Sequence, residues 1–315
     1  MMCDVNARAC TAALVASASL LLTASSTPVQ AAQPAGPASA ANGAAALGCS
    51  AQRLPTTAAK AVDVTASLGA TTATLSGTSG HGYLGIPRLL RPHLTLRSPG
   101  APAWRTTLKP VSGTPGRGVL VADVRHHARS FSVCLARFQD GAAPVAVVAL
   151  TSAFNQCCTI LYTYGRGVGS DAGLQDGAAP VRLGLVGGRP LIVTGDGRFL
   201  ARFADYADSG SPLRVLTVRN GKQADVTRGH ARLLRRDARH WARLFDQSDF
   251  GLGFLACWAA DQELLGHDAL VSSRLARLDA EHRLTVPPGL GSYWPHGAAY
   301  ISALRAFLAD SGYLR

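Results

Sequence analysis

From about Ala61 to Thr227 the apolar positions recur mainly at every second residue. Val62, Val64 and Ala66 alternate with polar neighbours, and His93–Arg97 reads HLTLR. Gly118–Val124 reads GVLVADV, Phe131–Phe138 reads FSVCLARF, Pro144–Leu150 reads PVAVVAL, and Cys157–Tyr164 reads CCTILYTY. Each run is strand-length and bounded by Gly, Pro, Asp or Asn. Gln139-Asp140-Gly141 between two such runs predicts a hairpin. Asn220-Gly221 between PLRVLTVR and KQADVT predicts a second, because an NG pair supplies two residues that tolerate positive φ. Short strands with turns at about 8 to 12 residue intervals predict an antiparallel β architecture, a sandwich or a propeller-like array.

The period changes near Thr227. A helix is expected from Arg228 to about Asp246, with Thr227 as its N-cap. On it Leu233, Leu234, Trp241, Leu244 and Phe245 gather on one side. Arg228, Arg232, Arg235, Arg239 and Arg243 run down the other at spacings of three and four. A second helix, Leu252–Leu265, is apolar on most sides and stops at Gly266. A third covers Ala269 to about Glu281, and a last one begins near Tyr293-Trp294-Pro295 and ends at Gly312. The fold class is therefore α+β, a β-rich region over 49–227 followed by a helical subdomain over 228–315 packed on it.

The first 31 residues predict an address. A short polar opening to Arg8 precedes an uncharged apolar run, Thr11–Ala24, and Pro28-Val29-Gln30-Ala31 places small residues where signal peptidase reads. That is the layout of a secretory signal peptide over 1–31. Residues 32–48 are mostly Ala, Pro, Gly and Ser with no charge, a flexible linker. No later apolar run approaches the roughly 20 residues of a membrane-spanning helix. The expectation is a secreted, extracellular chain, associated with the cell wall or free. Its net charge of +12 draws it towards anionic polymers, although arginine supplies all but three of the 31 cations and glutamate occurs only at 263 and 281, as an Arg-rich coding background also produces.

In an oxidising compartment the cysteines after residue 31 should pair. Cys49, Cys134, Cys157 and Cys158 are the candidates, and Cys257, on an apolar helix, reads as a buried thiol. Adjacent residues of a strand face opposite ways, so Cys157 and Cys158 are not expected to bond each other. The expected pairing takes one of them to Cys134 and the other to Cys49. None of the cysteines has zinc spacing.

Several phrases together resemble exported bacterial proteins with a β segment similar to the FG-GAP/VCBS repeats of integrin-type propellers. They are Val121–Val124, Ser152–Tyr162 (SAFNQCCTILY), Pro190–Tyr206 (PLIVTGDGRFLARFADY), Ser209–Thr227, Ala256–Gly266 and Trp294–Tyr313. The resemblance spans roughly residues 60–315 and implies no established activity. Such repeats often carry an acidic calcium loop. Here the stretch after Asp123 is VRHHARSF, and SDAGLQDG keeps only Asp171 and Asp176, against the six or more oxygens calcium takes.

No motif reaches a catalytic pattern. Asp196, Asp205 and Asp208 lie in GDGRF and DYADS, where Asp beside Gly and Ser makes turns. Ser79 in GTSGHG lacks the glycine two positions on that a nucleophile elbow requires. Gly165, Gly167 and Gly169 miss the GxGxxG spacing and read as a loop. His126 and His127 cannot share one metal from a strand. Asp261 and Glu263, two apart on a helix, do not share a face. The expected function is a non-enzymatic envelope-binding or scaffolding protein that uses no cofactor or metal. Its partner is an anionic polymer, held by Arg228, Arg232, Arg235, Arg239 and Arg243, or another exported protein. The alternative is a secreted glycosidase-like hydrolase with paired carboxylates.

Overall fold

Strand β1 (Leu47–Arg53) is followed by β2 (Ala61–Leu68), whose side chains alternate without a break: Val62, Val64, Ala66 and Leu68 are buried and the intervening residues are exposed. This is the period-two pattern of a strand with one solvated face. The computed structural model describes residues 46–53, 60–81, 87–108, 118–122, 130–151, 159–165, 168–176, 181–286, 289 and 293–314. Leu47 and Gly48, which composition placed in the linker, already belong to β1. The signal segment, His126, His127, Cys157 and Cys158 lie outside the described residues.

The remaining strands of the first sheet are β3 (Thr71–His81), β4 (Pro87–Arg97), β5 (Trp104–Thr107), β6 (Gly118–Ala122), β7 (Ser130–Ala136), β8 (Val145–Thr151), β9 (Thr159–Gly165) and β10 (Val168–Asp176). Their order is β1-β7-β8-β6-β4-β3-β2, with β5 beside β4 and β9 joining β8 to β10. All pairings are antiparallel, and β6 links two halves by pairing with β4 on one side and β8 on the other. The halves fold onto each other: a Cβ added to Gly48 of β1 would clash with the carbonyl oxygen of Ser67 in β2. Between them sits one core, with Val64, Leu75 and Leu94 from one half and Val133, Leu135, Val148 and Tyr162 from the other.

A second sheet is the meander β11 (Arg182–Val186), β12 (Arg189–Gly195), β13 (Leu213–Arg219) and β14 (Lys222–Asp225). It covers the outer face of β7–β9. Cys134, Val147 and Leu161, one residue out of step with the first core's set, meet Leu183, Ile192, Leu216 and Val218. The continuous apolar run PVAVVAL is explained by this burial on both faces, since neither set of alternate residues meets water. Each such aliphatic side chain contributes about 1.5–3 kcal/mol relative to exposure.

The helices lie on the far side of the second sheet. They are α1 (Ala231–Gln247), α2 (Leu252–Leu264), α3 (Asp268–Ala280) and α4 (Gly297–Asp310). Leu191, Leu213 and Val215 of the sheet pack on Leu234 of α1. Ala238 and Phe245 of α1 then enter a helical core around α2, with Phe199, Phe203, Tyr300 and Leu304. The helix α2 is buried on nearly all sides and stops just ahead of Gly266, at φ +81°. The fold is α+β, with a β-rich region followed by helices. No described helix is long and apolar enough to cross a membrane.

Two expectations are corrected. Cys49 and Cys134 are directly opposed on β1 and β7, 4.1 Å apart at Cα, and are disulfide-bonded to each other. Neither therefore pairs with Cys157 or Cys158. Thr227 does not cap α1. It stands in a 3-10 turn, Thr227–Gly229, and its hydroxyl bonds to the Val215 main chain and the Asp225 carboxylate. The helix begins three residues later behind His230, without a side-chain cap.

Candidate anion-binding site

The outward face of α1 carries Arg232, Arg235, Arg239 and Arg243, all exposed. Spacings of three and four place them along one side, opposite Leu234, Ala238 and Phe245. Arg236, four residues from Arg232, is exposed as well and extends the strip. Among the described residues none of these five guanidinium groups has an ion-pair partner. At 1.5 Å per residue, Arg232 to Arg243 covers about 16 Å.

Arg228 is not part of this strip. It lies in the 3-10 turn ahead of α1, where its guanidinium donates to the carbonyl oxygens of Tyr313 at 2.7 Å and Gly312 at 3.3 Å. It thereby ties the residues after α4 to the start of α1.

The aspartates behave as turn formers. The Asp205 carboxylate accepts from the N–H groups of Ala207 and Asp208 at 2.9 and 3.0 Å. Asp196 accepts from Arg198 N–H at 3.1 Å and so caps the turn Gly197–Phe199. It is also clasped by the Arg198 guanidinium and accepts from the Tyr313 hydroxyl at 2.9 Å. Burial alone would raise the Asp196 carboxyl, but the Arg198 hydrogen bonds and charge outweigh it and hold the group below its ordinary range. Ser79 is buried in β3, where its hydroxyl accepts from Lys60 N–H. Gly165 and Gly169 belong to the β9–β10 hairpin, and Asp171 and Asp176 to strand β10.

One carboxyl pair was not legible in the chain. Asp237 of α1 accepts from Leu213 N–H at 2.9 Å and from Trp241 Nε1–H at 2.8 Å. Asp261 of α2 is fully buried and hydrogen-bonded to it. Burial first, and the Asp237 charge second, push the Asp261 carboxyl well above its usual range. Burial and the neighbouring Asp237 thus favour the protonated form of Asp261. Asp237 also lines a cleft of about 410 Å³ with Thr194, His240 and Trp241. Glycoside hydrolysis needs two carboxyls that flank the substrate, and Asp261, fully buried, has no path to one. Glu263 faces Asp268 instead and is raised by burial and then by that neighbour. The Cys257 thiol is free and buried, and burial pushes it well up, away from reactivity. Among the described residues no group of three or more His, Cys, Asp or Glu side chains is arranged to hold a metal.

No family model and no curated protein matches the chain. Among solved structures, one titled "Structure of a Xanthomonas Type IV Secretion System related protein" is similar at 10% identity and a TM-score of 0.15, over 56% of this chain and 98% of that one. A TM-score that low carries no argument about fold or function.

Proposed function

We propose that this chain is an exported, non-enzymatic protein that binds an anionic polymer of the cell envelope through the exposed face of α1. The observation that carries the reading is the row of guanidinium groups at Arg232, Arg235, Arg239 and Arg243, extended by Arg236, which have no carboxylate partner among the described residues. Guanidinium forks match phosphate and carboxylate oxygens, and their charge attracts a polyanion from a distance. No aromatic residue stands between the arginines on that face, which disfavours single-stranded nucleic acid as the partner. The Cys49–Cys134 disulfide agrees with an oxidising compartment. The hydrolase alternative gains nothing from Asp237 and Asp261, whose contact does not fit that chemistry.

The test is co-sedimentation of residues 32–315 with isolated bacterial cell walls across a salt series. The triple variant R232A/R235A/R239A is expected to lose binding by tenfold or more at low salt. Its unfolding free energy should stay within about 0.5 kcal/mol of the parent, as exposed substitutions do. No binding by the parent chain at low salt overturns the proposal.

A further inference from the structure

Away from the α1 strip, a cavity of about 520 Å³ is lined by four arginines, Arg198, Arg214, Arg219 and Arg228, with Asp225 as the one carboxylate among the described residues that line it. They come from distant parts of the chain. Arg198 stands in the turn after β12, Arg214 and Arg219 on β13, and Arg228 in the turn before α1. Residues 311–313, following α4, close the remaining side.

The acids beside this cavity are engaged in positioning. Asp225 Oδ1 accepts from Thr227 N–H and Oγ1–H, and its Oδ2 accepts from Arg214 Nε–H at 3.2 Å. Asp196, buried beneath Arg198, is filled by Arg198 and the Tyr313 hydroxyl. Among the described residues, two carboxylates against four guanidinium groups leave a formal excess of two positive charges. That excess lies on Arg228, anchored only to main-chain carbonyls, and on Arg219, which has no ion-pair partner among the described residues. Glu263 does not line the cavity; its charge interacts with Asp268, Arg305 and Arg228.

The geometry points to this cavity as a binding site for a phosphorylated ligand, a phosphate ester of roughly two negative charges. Guanidinium groups bind phosphoryl oxygens in bidentate fashion, and those of Arg198, Arg214 and Arg228, already held by hydrogen bonds, lose less entropy on binding. A bare phosphate fills a small part of about 520 Å³, a volume typical of sites for organic ligands, so the phosphoryl group carries an organic portion. Neither the cavity nor its ligand depends on the α1 strip.

The test is titration calorimetry of residues 32–315 with inorganic pyrophosphate. One-to-one binding is expected. R219A should weaken it about tenfold and R219A/R228K further, while R232A/R235A/R239A leaves it unchanged. Unaltered affinity in R219A/R228K, an equal loss in the α1 variant, or no binding at millimolar pyrophosphate overturns the site, whatever the cell-wall result. Displacement of pyrophosphate by glycerol phosphate assigns a free phosphate ester. Displacement only by poly(glycerol phosphate) assigns the diester of a polymer, and displacement by neither overturns the proposal.

Discussion

Asp261 lies at 0% exposure on α2, against Asp237 of α1. As a carboxylate it would have no aligned donor for either oxygen and would face a second negative charge. As the acid it donates to Asp237 and joins the two helices. A carboxyl raised in the folded state stabilises fully below its unfolded value, and the contribution is lost as pH rises towards the raised folded value. Asp261→Asn keeps a donor and removes the titration. Urea unfolding should find the variant at least as stable as the parent at about pH 8, with the advantage vanishing towards about pH 4. A variant less stable at about pH 8 contradicts the neutral acid. At this scale the turn-forming aspartates were legible, because Asp205 and Asp196 answer to N–H groups two or three residues on. The partnership of Asp237 with Asp261 was not, since it depends on how two helices pack.

Strands and helices were legible wherever one period held. The alternation over 61–68 appears unchanged in β2, and Asn220-Gly221 forms its hairpin with φ of +49° and +76°, the positive pair a type I′ turn requires. The start of α1 was misjudged for a local reason. Thr227 has the chemistry of a cap, but β13 and Asp225 already occupy its hydroxyl, leaving the helix to begin after His230. Disulfide partners were illegible because strand adjacency is non-local: β1 pairs with β7 across 85 residues. That bond restricts the unfolded chain strongly. Replacing Cys49 and Cys134 by Ser should lower unfolding free energy by about 2–5 kcal/mol, read by chemical denaturation under oxidising conditions. An unchanged midpoint would mean that β1 is held by its ladder alone.

Across the whole molecule the sheets stack in layers, with helices on the outer face of β11–β14, so the side of α1 turned away from the sheet faces solvent. A net charge of +12 is legible from composition, but its distribution is not. The sequence placed Arg228 on the strip, whereas the fold sends it to the residues after α4 and brings it beside Arg198, Arg214 and Arg219. Those four arginines have no common spacing and meet only through the packing of the meander against the helices. The central claim is that the α1 arginines bind a polyanion by direct contacts to its charged groups. The most direct measurement is the slope of log affinity against log salt for an anionic envelope polymer, compared between the parent chain and R232A/R235A/R239A. Each phosphate contact adds roughly 0.7 to 0.9 to that slope for nucleic acids. The slope should drop by about two units or more in the triple variant. An unchanged slope would contradict that claim.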